Sequence, residues 1–200
     1  MSIDDRIAAA LRLVSSQPDD AIAALRAIVA DAPYRVFARH ALVRALLQTG
    51  KADAAFEVAR DPSVLDAPGP FGELLAEFVA TSAFFQYAEL LRARADRHPQ
   101  DYRAALALAA VLHRVGRPSE AIEWCDTANM LRPAERKPLE IRAVSLIDRG
   151  DVERGLAAYR ELLHGNEDAE TAARYLVLMH YDPAQTNAGL FDALQAYASR

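Results

Sequence analysis

A single cysteine, Cys125, stands among the 200 residues. No disulfide can therefore form within the chain, which agrees with a reducing cytoplasm. No stretch approaches the roughly 20 apolar residues that span a bilayer. Ile3-Asp4-Asp5-Arg6 puts charge where the apolar run of a secretory leader would have to begin. The expected location is cytoplasmic, with no membrane partner. Val- and Thr-rich runs with period-two alternation are also missing, whereas alanine supplies 42 of the 200 residues. That combination points to an all-α chain.

Motifs that carry chemistry are equally scarce. There is no Gly-rich phosphate loop, no Cys-x-x-Cys, no His-Glu-x-x-His and no Gly-x-Ser-x-Gly. His40, His98, His113, His164 and His180 are scattered, and none has a second ligand at helical spacing, so no metal site is expected. Cys125 falls on the inward slot of a second helix and reads as core filler rather than nucleophile. Asp19, Asp20, Asp53, Glu120 and Asp151 sit where helices begin, as caps and dipole partners. No catalytic residue and no cofactor is expected. With 23 Lys and Arg against 28 Asp and Glu, the net charge of −5 argues against a dedicated nucleic-acid binder.

What is present is a beat. One slot returns every 34 positions, with one 32-residue step: Ala21, Ala55, Tyr87, Ala121, Gly155 and Gly189. Other slots keep the same time, with Ala8, Leu42, Leu74, Leu108 and Leu176 in the first helix of each unit, then Leu46, Phe78, Leu112 and Leu146. Arg142 interrupts the first series, and Arg12 and His180 the second. Turn glycines recur at Gly50, Gly116 and Gly150, and closing prolines at Pro33, Pro99 and Pro133. A period of this length marks a helical repeat array. The small slot has a physical cause, because paired helices crossing closely there leave no room beyond a methyl group. At Tyr87 either the helices splay to admit the ring or the register shifts by one to turn Ala88 inward, the shift being the favoured accommodation.

These slots resemble the tetratricopeptide repeat (TPR), most fully from Tyr102 to Pro133, where Leu108, Ala109, Leu112, Gly116, Ala121, Ala128 and Pro133 fill successive positions. The resemblance implies a right-handed superhelical solenoid of about six helix-turn-helix units, near 2–35, 36–67, 68–101, 102–135, 136–169 and 170–200. Asp61 to Pro70, with three prolines and a glycine, is expected to be an extended, irregular connector.

In the TPR family the concave wall, lined by first-helix residues, holds a protein or peptide ligand. Carried over slot by slot, that wall comprises Arg6, Phe37, His40, Arg44, Gln48, Arg103, Leu106, Glu140, Arg174 and Tyr175. Four arginines make it more basic than the chain as a whole, suited to an extended polypeptide or an acidic helix. Asn129, Asn166 and Asn187 all miss it, which argues against a clamp for chaperone C-terminal tails and against an asparagine ladder.

The run from Arg174 through Tyr181-Asp182-Pro183 to Tyr197 resembles the junction in bacterial O-GlcNAc-transferase and SPINDLY-like glycosyltransferases. That resemblance implies an acceptor-recruiting array of a protein O-glycosyltransferase acting on flagellin or another surface protein, with the reading frame continuing beyond Arg200 into a nucleotide-sugar domain. A free-standing scaffold or assembly factor is the alternative.

Overall fold

In the computed structural model of the chain, residues 1–163, 169–182 and 185–198 are described. Among them every regular element is helical. The chain divides into two compact units, residues 1–99 and 100–200.

The first unit holds α1 (Ile3–Leu13), α2 (Pro18–Asp31), α3 (Val36–Gln48), α4 (Ala52–Ala59), the single turn α5 (Pro62–Leu65), α6 (Pro68–Ala80) and α7 (Phe84–Arg97). Serine opens the first helix: Ser2 Oγ accepts from the Asp5 amide at 3.1 Å and Asp5 Oδ2 accepts from the Ser2 amide at 2.9 Å. This capping box fixes the helix start. Ile7, Ala10 and Val14 form the buried face of α1, whereas Ala8 is exposed. The expected slot is thus displaced by one residue, because Ile7 has the larger apolar side chain to bury. Helix α3 packs against α1 and α6, so that the first helices of consecutive pairs are neighbours.

The segment expected to be an extended connector is folded. Asp61 Oδ1 accepts from the Ser63 amide at 3.0 Å and caps α5, with Pro62 as its first residue. Pro68 likewise opens α6. Proline at the first helical position costs no hydrogen bond, since that amide has no helical partner. The buried Arg94 of α7 donates to the Leu65 carbonyl and lies 4.8 Å from the centre of the Phe71 ring. It thereby joins α5, α6 and α7.

The second unit holds α8 (Tyr102–Arg114), α9 (Pro118–Leu131), α10 (Arg136–Asp148), α11 (Val152–Leu163), α12 (Ala169–Leu178), a 3₁₀ turn (Met179–Tyr181) and α13 (Asn187–Ala198). Cys125 is fully buried with Ala109 and Ile141, and burial pushes its thiol up to about 12. It fills core space, as expected. Arg142, the polar intruder of the first-helix series, reaches Asp126 of α9 at 2.8 Å.

The turns and crossings explain the beat. Gly50, Gly116 and Gly150 have φ of +74°, +77° and +91°. In each, the next residue's amide returns to the helix: Lys51 to the Leu46 carbonyl, Arg117 to Leu112 and Asp151 to Leu146, at 2.8, 2.8 and 2.9 Å. This is the Schellman closure, which wants a left-handed residue and therefore favours glycine. Ala21, Ala55 and Ala121 are fully buried. At Gly155 even a methyl is too much: a Cβ there would lie 2.4 Å from Ile147 Cγ1 and 3.0 Å from the Ala143 carbonyl oxygen. At the Tyr87 step Ala88 is the buried residue, in accord with the expected shift.

Candidate functional site

Helices α1, α3 and α6 present their exposed sides around a groove with a volume of about 390 Å³, lined by Leu11, Phe37, His40, Ala41, Arg44, Glu73, Ala76 and Glu77. Leu42, Leu46 and neighbouring buried residues occupy the inward side of α3, which leaves positions 37, 40, 41 and 44 on one stripe at helical spacing. Phe37 is 58% exposed, an apolar ring offered to solvent. His40 Nδ1 lies 3.8 Å from Glu73 Oε2, and Arg44 Nε lies 3.6 Å from Glu77 Oε1. The other ring nitrogen of His40 is buried without a hydrogen-bond partner. The groove is therefore of mixed charge, not cationic as the arginine count suggested. The two acids stand 33 positions after His40 and Arg44, so the periodicity held the signal for them.

A second groove belongs to residues 100–200. Its volume is about 460 Å³, and its lining includes Glu135, Arg136, Lys137 and Glu140 of the α10 start, Tyr159 of α11, and Thr171 and Arg174 of α12. Burial pushes the Tyr159 hydroxyl above the ordinary tyrosine range, against the opposing pull of a hydrogen bond and positive charge from Arg174. An apolar groove of about 380 Å³, lined by Val144, Ala173, Val177 and Leu178, shares Tyr159 and Arg174 with it.

Residues 86–134, from the first turn of α7 to the end of α9, match the tetratricopeptide repeat family. A crystal structure of MamA protein superposes with a TM-score of 0.50 at 14% identity, covering 86% of this chain and 96% of that one. Residues 86–134 thus carry the TPR match, within a chain whose described elements are all helical. A thermophilic TPR protein of Thermus thermophilus is similar over 89% of this chain and 99% of its own, at 19% identity and a TM-score of 0.49. MamA MSR-1 is similar at 24% identity and a TM-score of 0.46, over 76% of this chain and 88% of its own. No curated protein matches the sequence.

The residues expected on the wall part company. Phe37, His40 and Arg44 meet in the first groove, Glu140 and Arg174 in the second. Arg6 instead pairs with Asp31 at 2.8 Å. Gln48 and Arg103 are exposed and line neither groove. Leu106 packs beside Trp124 against Ala105, Ala109 and Cys125. Tyr175 packs against the core around Ala143 and Tyr159, and its hydroxyl accepts from Arg160 Nε at 3.0 Å. Glu73, Glu77, Arg136, Lys137, Tyr159 and Thr171 were not foreseen.

His113 Nδ1 lies 3.3 Å from Asp148 Oδ2 and 3.4 Å from Ser145 Oγ. Serine and acid share one ring nitrogen, and Ser145 is fully buried, so the trio is not disposed as a nucleophile-base-acid relay. No group of three His, Cys, Asp or Glu that could hold a metal occurs among the described residues. No described helix is long and apolar enough to cross a membrane. His164, Asn166 and Pro183, the last closing the Tyr-Asp-Pro corner, lie outside the described residues.

Proposed function

We propose that the array is a binding scaffold that holds a polypeptide partner on the first-helix face, with Phe37, His40 and Arg44 as its anchors in residues 1–99. The observation that carries this reading is Phe37, a large apolar ring left 58% exposed at the rim of a groove whose flanks carry both signs of charge. Aromatic side chains and arginines are enriched at protein interfaces, where such residues carry much of the binding energy. The matching ligand is an extended segment with an apolar side chain for the phenyl ring and charged residues on either side to meet Arg44 and Glu77.

The test is capture of partners from the source cell by wild type, Phe37→Ala and Arg44→Glu. A partner recovered by wild type and lost from the variants, at unchanged melting midpoint, supports the proposal. Equal recovery from all three would remove the groove from consideration. The narrower reading, acceptor recruitment for a protein O-glycosyltransferase, is supported only by the resemblance of residues 174–197. It requires that the captured partner carry O-linked sugar in its native state, and a partner free of sugar would end it.

A further inference from the structure

Helix α6 brings a pair of acids to the groove of residues 1–99. Phe71, Leu74 and Phe78 bury one side of α6, so Glu73 and Glu77, one turn apart, stand on the side that lines the groove. Opposite them on α3 are His40 and Arg44. The two steps of this ladder are not equivalent. Arg44 meets Glu77 at 3.6 Å, one cation for one carboxylate. His40 lies 3.8 Å from Glu73, beyond hydrogen-bond reach, and the Glu73 side chain stays 76% exposed. With histidine counted as neutral, the lining holds one cation and two carboxylates.

An acidic ligand finds less here than a basic one. The arginine of the lining already faces Glu77, and on the same helices Arg6 and Arg35 lie against Asp31 and Asp4 at 2.8 and 3.9 Å. A cation finds Glu73 open. Between the two charged steps lie Ala41 and Ala76, whose short side chains leave room for the stem of a lysine or arginine with its charged end turned outward. Phe37 precedes His40 by three positions, so the exposed ring and the step that carries Glu73 are about 4.5 Å apart along α3. An extended peptide sets alternate side chains on one face about 7 Å apart. A basic residue two positions from an apolar one can therefore meet both.

We propose that the groove of residues 1–99 selects segments in which a lysine or arginine lies two positions from a large apolar residue, with the apolar side chain against Phe37 and the cation against Glu73. This rests on the polypeptide-binding reading and adds a charge sign to it. The sign is opposite to the one that the arginines of the wall led to.

The probe is three sets of labelled nonapeptides with leucine at the centre, lysine, alanine or glutamate at both positions two residues from it, and degenerate residues elsewhere, read by anisotropy against the full chain. The lysine set is expected to bind about three- to fivefold tighter than the alanine set, the scale of a partly exposed ion pair, and the glutamate set more weakly than either. Glu73→Gln is expected to remove the lysine preference and Glu73→Lys to reverse it, both at unchanged melting midpoint because the side chain is exposed. Sets that bind alike and are all lost with Phe37→Ala would overturn the charge selection while leaving the polypeptide reading intact. A preference for glutamate that depends on Phe37 would do the same. A lysine preference that survives Glu73→Gln would overturn the selection in favour of general attraction to a chain of net charge −5. Binding by none of the sets, or binding indifferent to Phe37→Ala, would remove the groove and its selection together.

Discussion

The α6–α7 and α8–α9 hairpins make the same turn with different residues. Both close through a Schellman pair: Arg117 returns to Leu112 at 2.8 Å, and Ala83 returns to Phe78 at 2.9 Å. The left-handed position is Gly116 in one and Ser82, at φ +58°, in the other. The crossings diverge too. Ala121 sits in its slot, fully buried, whereas α7 reaches the same end by turning Ala88 inward and leaving Tyr87 half-buried. The geometry of the repeat is therefore kept where its residues are not. The irregular hairpin carries about 1–2 kcal/mol of left-handed strain that glycine would relieve; both hairpins set an arginine over an aromatic ring, Arg94 on Phe71 and Arg132 on Tyr102, but only the irregular one is also tied to an extra turn, α5, through the Leu65 carbonyl.

The largest expected effect lies in the regular hairpin. Ala121→Leu should lower stability by about 1–3 kcal/mol, because the crossing cannot admit three more carbons. Ala134→Leu, at an exposed position before α10, should change it by less than about 0.5 kcal/mol. Denaturant midpoints measure both, and equal midpoints would show that the crossing is not tight. Next comes an exchange between the turns. Ser82→Gly should stabilise by about 0.5–1 kcal/mol and Gly116→Ala should destabilise by about 1 kcal/mol. If both substitutions shifted stability the same way, the two turns would not be equivalent.

The smallest effect separates the irregular hairpin by pH. Arg97 Nε and Nη2 donate to Asp66 at 2.8 and 2.6 Å, and His98 lies 2.8 Å from the same carboxylate. The bonds from Arg97, reinforced by His98, hold the Asp66 carboxyl at about 2, below its ordinary 3.8. A depressed folded-state pKa means the tether contributes fully above pH about 4 and is lost as pH falls from there to about 2. Wild type and Asp66→Asn should therefore differ in midpoint at pH 6 and converge near pH 2. A gap that stays constant over that range would exclude the tether.

The contrast between the hairpins also explains what was legible in the sequence. The helix pairs were, because glycine at a left-handed turn and alanine at a crossing each answer a local steric demand. Ser82 was not, since a serine gives no sign that the backbone beneath it is left-handed. The run Ala8-Ala9-Ala10 has no phase of its own, and the capping box that sets it lies upstream. Asp61-Pro62 was read as a breaker, yet the same pair is a cap followed by a first helical residue. In the grooves, Phe37, His40 and Arg44 followed from their slots on one helix. Glu73 and Arg136 needed knowledge of which helices face each other, and Tyr175, expected on the wall, is half-buried against the core around Ala143 and Tyr159.

Cys125 gives the regular hairpin a clock. As the chain's one cysteine, fully buried and held as thiol to about pH 12, it reacts only when α9 parts from α8 and α10. The rate at which a thiol reagent consumes it counts those partings one molecule at a time, and a bound partner that slows the count reports its own occupancy.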